Sequence, residues 1–296
     1  MHKSLLLILT LVATSAMGLN SRSAVSINGN DANPCTTTQP CRSFGAAIPQ
    51  TAAGGEVVAL DSAGYGPFFI QQAVTVSGAP GVHAAITAVF DSAIDVSQPS
   101  NSGHVALRNL VLIGAGAGAG ILADSVTEVS ISNVTAIGFN VAGIFVSDGS
   151  TAVIDHCQLL NNVAGVEALN AKAIVTNSHI AGGSSGVLAE YNSSISVAHS
   201  VIGKNNVGVQ CGPFSFNLGS TILVDDCSIA ANDTGVLAGT DVGTALIFLS
   251  NDAIFANGTG VQANVGGAVG SYGNNRIDGN TVNLGPSTPL STLTLR

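Results

Sequence analysis

In the second half of the chain an aliphatic residue is repeatedly followed, three positions on, by Asn or Gly, and three further on by Gly with an apolar residue behind it. The aliphatic members are Ile137, Leu159, Ile180, Ile202, Ile229, Ile254 and Ile277; the middle members are Asn140, Asn162, Gly183, Asn205, Asn232, Asn257 and Asn280; the closing members are Gly143, Gly165, Gly186, Gly208, Gly235, Gly260 and Asn283. Closing positions lie 22, 21, 22, 27, 25 and 23 residues apart, and a period of that size built from short segments predicts a solenoid. After each closing position, Ile144, Val166, Val187, Val209, Val236, Val261 and Leu284 alternate with Val146, Ala168, Ala189, Cys211, Ala238 and Ala263. That period of two is the burial pattern of a strand. A second strand follows in each coil (Ala152 and Ile154, Ala173 and Val175, Ile195 and Val197, Ile222 and Val224, Ile247 and Leu249 inward), and the aliphatic line marks a third.

Three strands per coil of about 22 residues, like residues stacking on like, predict a single-stranded parallel β-helix. Leucine-rich repeats share the period, but they need a Leu-rich consensus and a helical arc, where this chain has runs of Ser, Asn, Gly and Val. Stacked Asn side chains at one turn can hydrogen-bond along the axis. The column His156, Asn177, His199, Asp226, Asn251 and Asn274 reads as a second row of polar turn residues. Gly114 to Gly120, with alternating Gly and Ala, lacks the Lys-Ser/Thr ending and the following helix of a phosphate loop, and reads as a turn.

The termini complete the outline. Lys3, the apolar run from Leu5 to Val12 and the small residues Ala16 and Gly18 predict a secretory signal peptide over residues 1–18, too short to span a bilayer. A cap follows over residues 19–55, in which Ser43 is placed to N-cap a short helix whose Phe44, Ala47 and Ile48 cover the open first coil. The β-helix is expected over 56–290, with irregular early coils, and a closing strand over 291–296. Only 8% of residues are charged, and the formal net charge is −9, more negative by one once Lys3 is removed with the leader. That balance argues against nucleic acid as a partner, and no second long apolar segment suggests a transmembrane span. Cys35 and Cys41 flank a short polar loop and are expected to be bridged in an oxidising compartment. Cys157 and Cys227 share a column three coils apart, too distant to bond, and with the inward Cys211 read as buried apolar residues.

The opening Gly29-Asn30-Asp31, Pro34-Cys35, Pro40-Cys41-Arg42-Ser43-Phe44 and Ala47-Ile48, followed by Gly54-Gly55-Glu56-Val57 and Gly64-Tyr65-Gly66, resembles the start of secreted bacterial right-handed parallel β-helix proteins of the pectate-lyase-like superfamily. The resemblance implies a right-handed coil; it does not fix an activity, since members include lyases, hydrolases, epimerases and proteins with none assigned. Ile154-Asp155-His156 is similar to a segment of family-one pectate lyases, with Val153 in place of its Trp and no match to the later Arg-containing motif. Asp225 and Asp226 are similar to the paired acids of polygalacturonases, which act as general acid and base, but the motifs that accompany those acids are missing.

Candidate chemistry is therefore sparse. A lyase needs a base, and Lys172, read at the end of the first strand, is the best placed of the few available; the acids Asp124, Asp148, Glu167 and Glu190 are candidate Ca²⁺ ligands on neighbouring coils. The outward positions of the first strand, Leu122, Phe145, Glu167, Leu188, Gln210, Leu237 and Gln262, form a stripe on one exposed sheet, a candidate substrate or partner face unless a loop from residues 91–103 covers it. The sequence thus predicts an exported, periplasmic or extracellular protein that binds extracellular or cell-surface glycan or protein through this elongated face, with no cofactor required. The alternatives are a polysaccharide lyase or glycoside hydrolase acting on acidic polysaccharide, with Lys172 or Asp225 and Asp226 as catalysts and calcium as a possible aid, and a structural or adhesive spacer.

Overall fold

A computed structural model describes residues 18–97, 103–212, 217–239, 243–286 and 290–293. Apart from Gly18 the expected leader lies outside them, as do residues 294–296 of the expected closing strand. The chain winds into a parallel β-helix with three sheets. Sheet 1 holds ten strands: Phe68–Ile70, Ser92–Ser97, Ala119–Asp124, Ala142–Ser147, Ala164–Leu169, Ser185–Glu190, Val207–Cys211, Thr234–Ala238, Thr259–Ala263 and Val282–Leu284. Sheet 2 has twelve strands, from Asn20–Val25 to Leu290–Thr292, and sheet 3 has ten short ones, from Ala63–Gly64 to Arg276–Ile277.

Register follows the sequence columns. Val166 pairs with Val187 and Val187 with Val209 in sheet 1; Ala173 pairs with Ile195 and Val175 with Val197 in sheet 2; Ile180, Ile202, Ile229 and Ile254 pair in turn in sheet 3. These inward residues are fully or almost fully buried. Branched aliphatics suit a pleated interior, where restricted χ1 costs little. One expectation is corrected. Ala136, not Ile137, pairs with Leu159, and Phe139, not Asn140, occupies the next column, because its backbone N–H donates to the Asn162 side chain at 3.0 Å. Phe139 is buried and the small Ala136 lies on the same inward line, so a large and a small residue fill together the space that an Ile and an Asn occupy in later coils.

Two polar columns hold the turns. Asn205, Asn232, Asn257 and Asn280 each donate an amide N–H to the next Asn Oδ1 at 3.1, 3.0, 2.9 and 3.1 Å, ending on Asn283. Asn205, Asn232 and Asn257 are buried in this continuous ladder, and the buried Asn162, separated from it by Gly183, donates to the Ala136 carbonyl at 3.0 Å, so these amides are all paired. Between sheets 2 and 3, Asn133, His156, Asn177, His199, Asp226 and Asn251 each adopt a left-handed backbone, with φ from 50° to 56°. Asn, Asp and His tolerate that conformation best among residues bearing a side chain. A second left-handed column precedes the Asn ladder and contains Gly182, Lys204, Ala231, Ala256 and Gly279.

At the N-terminal end, Ser43 accepts a hydrogen bond from the Ala46 N–H and caps the helix Phe44–Ala47. Phe44 packs on Tyr65 and Phe68 with ring centroids 5.2 and 4.9 Å apart, so the cap closes the first coil with aromatic surface. Cys35 and Cys41 are disulfide-bonded, and Cys157, Cys211 and Cys227 are free and buried.

Candidate functional site

The strands of sheet 1 turn alternate residues outward, and exact stacking sets these in one row. Phe69, Asp95, Leu122, Phe145, Glu167, Leu188, Gln210, Leu237 and Gln262 are successive register partners. From Leu122 to Gln262 each is half-buried, because side chains spaced by one strand, about 4.8 Å, shield one another. Phe69, at the head of the row, is 66% exposed. Residues 92–97, expected to belong to a covering loop, are instead a strand of the same sheet, and residues 98–102 lie outside the described residues.

Two carboxyls stand out in this row and beside it. Glu167 is held between Phe145 and Leu188 in register, and desolvation raises its pKa to about 7. Glu190 lies one coil on and two residues further along its strand, also outward, hence roughly 8 Å away between Cα atoms at ordinary strand spacing and rise. It is only 4% exposed, and burial first, then the charge of Glu167, lifts it to about 7. Its Oε1 is buried without a hydrogen-bond partner among the described residues. An unpaired buried carboxyl oxygen costs stability and is an acceptor open to an incoming donor.

Of the other candidate acids and bases, Asp124 stands in the register line of Glu190, three coils earlier, and the rest fall elsewhere. Asp124 accepts from the Ser147 hydroxyl at 3.2 Å, and Asp148 is an exposed left-handed turn residue with φ 48°. Among the described residues no three His, Cys, Asp or Glu converge as metal ligands, so Asp124, Asp148, Glu167 and Glu190 do not form a calcium cage. Lys172 does not end a sheet 1 strand; it begins Lys172–Thr176 in sheet 2, exposed, and forms no ion pair among the described residues. Asp225 closes its sheet 2 strand and accepts from the Asn251 amide at 3.1 Å, while Asp226 lies 3.6 Å from His199 Nε2. Lys172 registers with Ser194 and Ser194 with Thr221, four residues before Asp225, which puts the lysine and the acids at opposite ends of the sheet, about 13 Å apart along the strand.

One ionisable group escaped the sequence reading. Asp252 is 1% exposed and raised to about 7 by desolvation, although its carboxylate accepts the backbone N–H groups of Cys227 and Ser250. It continues the column of Cys157, Ser178, Ser200 and Cys227, where hydroxyls accept the same kind of backbone N–H, and this continuity was the available signal. The groove at that corner, about 450 Å³ and flanked by His156, His179 and His199, is structural in its wiring. Asp155 there accepts from Asn177 and Thr176 and pairs with His156, contacts that hold it down at about 2.

A family model described as Right handed beta helix region matches residues 119–283. No curated protein sequence matches the chain. Among solved structures, an alginate lyase from Paenibacillus sp. str. FPU-7 is similar at 12% identity and TM-score 0.51, over 92% of this chain and 98% of that one. Pectate lyase Pel9A is similar at 14% identity and TM-score 0.46, over 95% and 79%. A rhamnogalacturonan lyase follows at 12% identity and TM-score 0.40, over 84% and 75%. At such identities the likeness is one of fold.

Proposed function

The chain belongs to the family of the right handed beta helix region, and from that premise we propose that it binds an extended extracellular polysaccharide along the outer face of sheet 1. The observation that carries the reading is the uninterrupted outward row from Phe69 to Gln262, in which apolar and amide side chains repeat at one strand spacing around the carboxyls of Asp95 and Glu167, with Glu190 beside the row. A straight row of half-buried apolar groups with a few polar ones among them suits a linear polymer better than a compact ligand. The fold shared with an alginate lyase lends the carbohydrate reading support. The exported location expected from the leader belongs to the same proposal; among the described residues no helix is long and apolar enough to cross a membrane.

A second reading is favoured by one specific observation. Glu167 and Glu190 both sit at about 7, where a carboxyl serves as acid or base at neutral pH, so a glycoside hydrolase would draw its pair from them rather than from Asp225 and Asp226. The calcium-assisted lyase is the weaker enzyme reading, because Lys172 and the acids of sheet 1 do not converge. Glycan-array binding followed by product analysis tests the proposal. Wild type should retain one glycan class, Phe145→Ser and Leu188→Ser should weaken it about tenfold or more, and Lys172→Ala should leave it unchanged. Binding indifferent to both face variants would remove sheet 1 as the site.

A further inference from the structure

The charge on sheet 1 is one-sided. Its ten strands contain the acids Asp95, Asp124, Glu167 and Glu190 and no Lys, Arg or His. The chain's few bases lie elsewhere, such as Arg108 and Lys172 on sheet 2 and Lys204 in a turn. Asp95 and Asp124 have hydroxyl partners in Ser97 and Ser147, whereas the buried Oε1 of Glu190 has no hydrogen-bond partner among the described residues. A uronic-acid polymer would bring like charge to this face of a molecule whose formal net charge is already −9.

We propose that sheet 1 takes a glycan bearing free amino groups, with one ammonium seated between Glu167 and Glu190. The inference rests on the reading of sheet 1 as a glycan face and names the substrate class. An ammonium offers three donors and a positive charge. It supplies the hydrogen bond that Glu190 Oε1 lacks, compensates the desolvation that raises both carboxyls, and offsets the charge of Glu167 that acts on Glu190. A sugar hydroxyl can donate one hydrogen bond but cannot neutralise a carboxylate pair, and an N-acetylated sugar has lost the charge. Phe145 and Leu188, on either side of Glu167, would pack against the sugar ring and lower the local dielectric, which strengthens the ion pair.

The test is calorimetric titration of the full chain at pH 7 with three oligomers of matched length: glucosamine, N-acetylglucosamine and galacturonate. The glucosamine oligomer should bind about tenfold or more tightly than the other two, Glu190→Gln and Glu167→Gln should each erase most of that margin, and 0.5 M salt should weaken it, about 0.5 M being well past the ionic strength at which exposed pairs are screened. Gln matches Glu in shape, and a melting curve of each variant confirms folding. Equal or tighter binding of the acetylated or the uronate oligomer at the Phe145 and Leu188 face would overturn the amino-sugar assignment while leaving the glycan face standing. Binding of none of the three overturns the assignment as well, and the face is then judged separately by the array experiment. Preference for glucosamine that persists undiminished in both Gln variants would also sink it.

Discussion

Glu167, Glu190 and Asp252 all have folded-state values near 7, above the ordinary 4.5 for Glu and 3.8 for Asp. A carboxyl whose value rises on folding favours the native state most fully below its unfolded pKa, and that stability is lost as pH rises through the folded value. Asp155 works in the other direction. Its value, lowered to about 2 by Asn177, His156 and Thr176, contributes stability above 3.8 that disappears as pH falls toward 2. The melting temperature should therefore peak between about 4 and 5 and decline toward pH 8. Glu190→Gln should flatten part of the decline between pH 5 and 8, read by thermal denaturation across that range. A melting temperature that climbs from pH 5 to 8 in wild type would contradict the buried placement of these acids.

At the level of the strand and turn, each coil supplies one copy of the same small set of contacts, so one coil is a fair test of all. Ile229 is fully buried in the sheet 3 line, and Ile229→Ala should cost roughly 2–5 kcal/mol in chemical denaturation. The neighbouring turn offers the opposite sign. Ala231 has φ 59° at a position held by Lys204 and Ala256 in the adjacent coils and by Gly182 and Gly279 further along the column, and a left-handed Ala costs about 1–2 kcal/mol. Ala231→Gly should accordingly raise stability, by about 1 kcal/mol.

This repetition explains what could be read from the chain and what could not. Ile180 through Ile254 and the Gly positions were legible because seven imperfect copies reveal a column that one copy would hide. The register slipped at Ile137 and Asn140 because the first copy satisfies the pattern by residue type while the core is filled by Ala136 and Phe139. The acids Asp124, Asp148, Glu167 and Glu190 were legible as a group on neighbouring coils, but not which two of them meet. Glu167 stands two residues after Gly165 and Glu190 four after Gly186, so no fixed column relates them, and their proximity exists only once the strands are laid side by side. Lys172 was misplaced for a related reason. The turn between sheets 1 and 2 is only Asn170 and Ala171, and sequence alone did not show on which side of that corner the lysine falls.

Across the whole molecule, the parallel ladders place the backbone hydrogen bonds along the solenoid axis, each coil bonded to the coils above and below. The Asn amides run in the same direction, donor to acceptor, from Asn205 to Asn283. A tension applied between the capped N-terminal end and the C-terminal end would therefore open one coil at a time instead of shearing many together. Drawn out in an optical trap, the chain should lengthen in a staircase whose steps correspond to one coil of about 22 residues, or roughly 75 Å at about 3.4 Å per residue. The free end should unspool first, because the aromatic stack of Phe44, Tyr65 and Phe68 and the Cys35 to Cys41 bond pin the other. A single rupture releasing the whole length at once would mean that the coils fail together, and the same columns that make the molecule readable would then make it brittle.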